Sequence, residues 1–138
     1  MSVPVHERTE SQLAFLANAE SLQDLTNKIV MNEKYVPKKY RYVWTQEVFK
    51  LAMNIFENTR RANIIYPKSQ KDLDLRLHYL ILAESDSEAL LSQIAFARKT
   101  FTNIPDSFKE EWEKLCVSTK RTIRKRRNDD AVNFIFDK

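Results

Sequence analysis

A chain of 138 residues without a single glycine has few folds open to it. Type I′ and II′ hairpin turns depend on glycine, because they need positive φ at little steric cost. Phosphate-cradling loops and dinucleotide fingerprints need it too, so that backbone can approach the phosphates closely. Tight β-hairpins and Gly-rich nucleotide sites are therefore not expected here. The expectation is an all-α fold.

The spacing of apolar residues predicts four helices. The first covers about residues 9–31, with Phe15, Ala19, Leu22, Leu25, Ile29 and Val30 on one face. The stretch "NEKYVPKK" ends it, because Pro37 drives Val36 out of the helical region. The second, about residues 39–64, has a main stripe of Trp44, Val48, Leu51, Ile55, Thr59 and Ala62. Tyr42, Phe49, Met53 and Phe56 form another stripe, displaced from the first. A helix with one side in water needs one apolar face. The second stripe therefore implies either deep burial in the bundle or a contact between subunits in a homo-oligomer.

"NIIYPKS" turns the chain into a third helix, about residues 69–101, where Ser69 and Asp72 form a variant capping box. Leu73, Leu80, Ser87, Ile94 and Phe101 recur every seven residues, with Ala83, Leu90 and Ala97 on the alternate seam. Such a repeat implies left-handed supercoiling against neighbours. "TNIPDS" makes the next turn, and Ser107 with Glu110 is expected to cap a fourth helix over about residues 107–127. Its inward face is Phe108, Trp112, Leu115, Cys116, Thr119 and Ile123. Long amphipathic helices with short connections predict one domain, an antiparallel up-down-up-down four-helix bundle. Asn128, Asp129 and Asp130 are expected to end the fourth helix, leaving a tail over residues 128–138. Val132, Phe134, Ile135 and Phe136 make that tail either a docked segment or a disordered end.

Composition narrows the function classes. Hydrophobic residues make up 43% of the chain, which is a globular proportion, and no run approaches the ~18 apolar residues of a membrane helix. The polar opening "MSVPVHERTE" does not read as a signal peptide, and the lone Cys116 fits a reducing cytoplasm. Enzymatic readings do poorly. His6 and His78 lie in different elements, and Asp74 with His78 reads as an exposed pair. Glu84, Asp86 and Glu88 read as a solvated acidic face rather than a metal site, and Cys116 as a small core residue. The Glu-x-x-His motifs of di-iron bundles are missing. No active site, metal or cofactor is expected.

The net charge of +4 is the balance of opposed blocks. Residues 34–71 hold nine basic and two acidic side chains, and "KRTIRKRR" puts six cations into eight residues: Lys120, Arg121, Arg124, Lys125, Arg126 and Arg127. Cations are favoured at a helix C-terminus, but one or two suffice for that. In an up-down bundle the run shares an end with Arg60, Arg61, Lys68 and Lys71 at the turn between helices 2 and 3. One basic region at that end is what a phosphate backbone attracts. No aromatic is interleaved in the run, so readout of backbone and shape is expected, not base stacking.

Three segments carry a family resemblance. The opening "SVPVHERTESQLAFLANA" resembles the "S-x-P-x-H-E-R" start of small four-helix proteins found near reverse transcriptase genes on bacterial mobile elements. "RRANIIYP" resembles that group's "RAN-x-IYP", and "IRKRRNDD" its closing "L-x-x-W-R-x-x-D-N", although Arg126 stands where tryptophan is usual. The group is similar to the accessory variability determinant (Avd) proteins of diversity-generating retroelements. It is more distantly similar to the four-helix protein encoded in ribosomal RNA intervening sequences. The resemblance implies a homo-oligomeric ring, typically a pentamer, that binds RNA or DNA and a reverse transcriptase without catalysing a reaction. The alternative is a protein-interaction scaffold whose charge serves solubility or docking.

Overall fold

The structure is a computed structural model that describes residues 5–136, with side chains from residue 13 onward. The side chains of the "SVPVHER" opening, His6 among them, and the last two residues of the tail lie outside the described residues. Four helices make up the fold: α1 (Val5–Val30), α2 (Gln46–Ile64), α3 (Gln70–Thr100) and α4 (Asp106–Asn133). No strand occurs among the described residues. Each helix packs on its neighbours in sequence and α1 closes onto α4, which makes a four-helix bundle. No helix among the described residues is long and apolar enough to cross a membrane.

The seven-residue repeat of α3 forms the centre of the core. Leu73, Leu80, Ser87, Ile94 and Phe101 are buried, as are Ala83, Leu90 and Ala97 between them. Trp112, Cys116, Thr119 and Ile123 of α4 meet this seam, and Phe15, Ala19, Leu22 and Ile29 come from α1. Burying a Leu or Ile side chain contributes about 1.5–3 kcal/mol, so Leu90→Ala should cost about 2–5 kcal/mol. The hydroxyls of Ser87, Thr119 and Thr26 do not disturb the core, because each has a partner. Ser87 Oγ donates to Ala83 O at 2.8 Å and Thr119 Oγ1 to Leu115 O at 2.7 Å. Thr26 Oγ1 accepts from Trp112 Nε1 at 2.9 Å, which fixes the register of α1 on α4.

Entry to α2 departs from a simple helix. A 3₁₀ turn (Lys38–Tyr40) passes into a π-helical turn (Arg41–Thr45) before α2 begins. The wider turn lets Tyr40 and Trp44 both pack on Phe101, at ring distances of 4.9 and 4.8 Å. Trp44 Nε1 donates to Gln93 Oε1 at 2.8 Å. The same extra residue per turn rotates Tyr42 away from the α-helical register of α2. The stripe of Tyr42, Phe49, Met53 and Phe56 is therefore not continuous. Tyr42 is 78% exposed, while Phe56 packs against the core and Phe49 and Met53 stay half-buried.

The two short turns are capped differently. Ser69 Oγ caps α3 by accepting from Asp72 N at 3.2 Å, while Asp72 Oδ2 reaches past the cap to accept from Lys68 N at 3.1 Å, a residue earlier than in a full capping box. The Ser107 cap does not form. Pro105, with φ −55° and ψ 139°, is the residue that precedes α4, and its carbonyl accepts from Phe108 N and Lys109 N. Ser107 thus lies inside the first turn. The far end of α4 also differs from expectation, since the helix runs through Asn128, Asp129 and Asp130 to Asn133. Asp130 continues the inward stripe seven residues beyond Ile123 and is 1% exposed. The tail docks in part on its own bundle, with Phe134 edge-on to Tyr66 at 5.7 Å while Val132 and Ile135 face solvent.

Candidate nucleic-acid interface

Lys120, Arg124 and Arg127 follow at i, i+4 and i+7 and so share the face of α4 that lies against α3. There they meet carboxylates. Lys120 pairs with Glu88, and Glu84 accepts from Arg124 Nε at 2.7 Å and Arg127 Nε at 3.0 Å. Arg98 on α3 pairs with Glu113 on α4, so ion pairs line this groove along much of its length. The arrangement resembles the flanking charges of a coiled coil. Lys125 and Arg126 each reach one turn ahead, to Asp129 at 3.0 Å and Asp130 at 3.1 Å. Of the six cations, Arg121 alone has no carboxylate partner among the described residues.

Glu84, 12% exposed, is therefore not part of a solvated acidic face, whereas Glu88 stays open to solvent in its pair with Lys120. Burial would raise the Glu84 carboxyl, but its hydrogen bonds to Arg124 and Arg127 outweigh that and hold it below the ordinary value. Asp86 lies on the same helix without a cation, and burial raises its carboxyl. Among the described residues no group of His, Cys, Asp and Glu is arranged to hold a metal ion. Burial pushes the Cys116 thiol up to about 12, which leaves it a core residue without thiolate character. Asp74 accepts from Gln70 at 2.8 Å instead of pairing with His78.

The α2–α3 turn carries the second basic cluster. Arg60 pairs with Glu57 at 3.2 Å, whereas Arg61 lies over the Tyr79 ring at 5.8 Å. Arg61, Lys68 and Lys71 are exposed and have no carboxylate partner among the described residues. Contacts of Tyr66 with Phe134 and of Arg76 with Asp130 put this turn beside the end of α4. The "KRTIRKRR" run does not merge with it. Glu88, the partner of Lys120, lies on the order of 25 Å along α3 from the turn, at ~1.5 Å per residue. The run climbs the α3–α4 face, and the two clusters share an end only through its last residues.

Arg76 and Asp130 are the pair that motif reading misses. Arg76 sits three residues after Leu73 and seven before Ala83, on the alternate seam of α3. An arginine at such a position requires a buried carboxylate, and that signal was present in the repeat. Arg76 Nη1 also donates to Ala62 O at 2.9 Å and Ile65 O at 3.0 Å, satisfying carbonyls at the end of α2.

On the opposite end of α2, Phe49 and Met53 line an open surface groove of about 390 Å³ with Met31, rimmed by Arg41 and Lys50. The chain matches no protein-family model, no curated protein and no solved structure.

Proposed function

We propose that this bundle is a non-catalytic nucleic-acid-binding accessory protein of a mobile element, acting with a reverse transcriptase and as a homo-oligomer. The observation that carries the nucleic-acid reading is the clustering of Arg61, Lys68 and Lys71 at the α2–α3 turn, exposed and without carboxylate partners among the described residues, with Arg121 likewise unpaired on α4. Phosphates are recognised by such charges with little regard to sequence. Lys125 adds to these. Its pair with Asp129 is solvent-exposed on the cationic side, and an exposed pair is worth only ~0–1 kcal/mol, so a phosphate competes for the cation. Arg126 and Arg127 are less available, since Arg126 is 11% exposed and faces Asp130. The link to a reverse transcriptase rests on the resemblance of "SVPVHER" and "RRANIIYP". Self-association is supported by the half-buried Phe49 and Met53 and their groove, and a ring rests on the resemblance.

A specific observation favours a second reading. Five of the six cations in "KRTIRKRR" are engaged within the chain, as they would be in a scaffold whose charges set helix register. Fluorescence anisotropy with RNA and DNA strands of unrelated sequence separates the two. Comparable, salt-sensitive affinity for all of them is expected from the first reading. Absence of binding at low salt would leave the scaffold.

A further inference from the structure

We propose that the α2–α3 end takes single-stranded nucleic acid, with Tyr66 as the platform on which a base stacks. The inference rests on the nucleic-acid reading and gives that site a strand preference. Sequence reading found no aromatic among the cations of α4. The fold supplies one at the other basic cluster, because Tyr66 lies between Arg61 and Lys68 and is 72% exposed. Phe134 meets it edge-on, with 88° between the ring planes. A ring that open keeps at least one face free.

The turn is held so that this ring points outward. Ile65 is extended, with φ −83° and ψ 109°, and its carbonyl and that of Ala62 are bound by Arg76. Ile64 and Tyr66 are exposed, Ile65 is half-buried and Pro67 is buried. Arg76 is itself anchored by Asp130, so the platform is preorganised by a buried ion pair. Val132 and Ile135, on either side of Phe134 in the sequence, are exposed as well.

An apolar, aromatic patch flanked by cations without carboxylate partners suits a strand that offers both phosphates and base faces. Duplex bases are stacked on each other and present no free face, whereas single strands do. The occupant is therefore a single strand of RNA or DNA, held by phosphate contacts to Arg61, Lys68 and Lys71 and by stacking on Tyr66.

The test uses the full chain and three probes of equal length: a single strand, the same backbone with abasic residues, and a duplex. Wild type should bind the base-bearing strand about tenfold more tightly than the abasic one, a difference of about 1.4 kcal/mol. Tyr66→Ala should abolish that difference and leave abasic binding unchanged, while Tyr66→Phe should retain it. Arg61→Gln with Lys68→Gln should weaken all three probes alike. A Tyr66→Leu variant, which keeps an apolar contact to Phe134, guards against loss by local unfolding and should behave as the alanine variant does. If Tyr66→Ala binds the base-bearing strand as well as wild type while Arg61→Gln/Lys68→Gln weakens it, the stacking inference is overturned and the nucleic-acid reading stands. Equal affinity of wild type for base-bearing and abasic strands also overturns the inference. No binding of any probe at low salt overturns both.

Discussion

Arg76 on α3 donates from Nε to Asp130 Oδ2 on α4 at 2.7 Å, with Asp130 1% exposed and its other oxygen held by Arg126 at 3.1 Å. This one contact joins the end of α4 to the start of α3, and through Ala62 O and Ile65 O to the end of α2. It explains why α4 continues through "NDD" instead of stopping there.

Removing one partner leaves a buried charge uncompensated, which typically costs about 3–5 kcal/mol. Asp130→Ala should lower stability by that order in denaturant unfolding. In an Arg76→Met background the same change should cost clearly less, although Ala62 O and Ile65 O then lack a donor. Additive losses in the double-mutant cycle would mean that the two residues act independently.

The pH dependence of stability has a worked sign at two carboxylates. Glu84 has a lowered folded-state value, so its contribution is present above the unfolded value of 4.5 and is lost as pH falls through the lower folded value. Asp86 is raised above 3.8, so folding is penalised at neutral pH and the penalty disappears as pH falls through its folded value. Glu84→Gln should therefore destabilise at pH 7 and flatten the acid limb. Asp86→Asn should raise the thermal midpoint at pH 7 and make little difference at pH 3. The same melt at both pH values checks both, and an Asp86→Asn variant less stable at pH 7 would contradict the assignment.

The four helices, the α3 seam and the inward face of α4 up to Ile123 were legible because burial imposes a period on apolar residues. The limits of α4 were not, because they depend on tertiary partners. Asp129 and Asp130 carry weak helix propensity, and it takes the distant Arg76, with Arg126, to make Asp130 an interior residue. The π-helical turn was likewise hidden, since it arises from packing Tyr40 and Trp44 together on Phe101. "KRTIRKRR" was legible as charge but not as geometry. Its partners Glu84 and Glu88 lie on another helix, and reading each helix alone made them an acidic face.

Within that run the positions should separate into two kinds. Arg121→Gln with Lys125→Gln should leave the thermal midpoint nearly unchanged and weaken nucleic-acid binding. Arg124→Gln with Arg127→Gln should lower the midpoint, because Glu84 is 12% exposed and loses both of its cations. The reverse pattern would remove α4 from the interface.

Self-association is expected through the groove of Met31, Phe49 and Met53. Light scattering at tens of micromolar should give a mass above the monomer, and Phe49→Glu should dissociate the assembly while helicity by circular dichroism is kept. A clean wild-type monomer would contradict it, and unfolding of Phe49→Glu would make Phe49 a core residue.

The salt dependence of single-strand binding tests the central claim most directly. For single strands the slope of log K against log salt is about −0.7 per phosphate neutralised. With Arg61, Lys68, Lys71 and Arg121 engaged, the account predicts a slope of about −3, flattened by about 2 units in Arg61→Gln/Lys68→Gln/Lys71→Gln. A wild-type slope near zero, or one that the triple variant leaves unchanged, would contradict it.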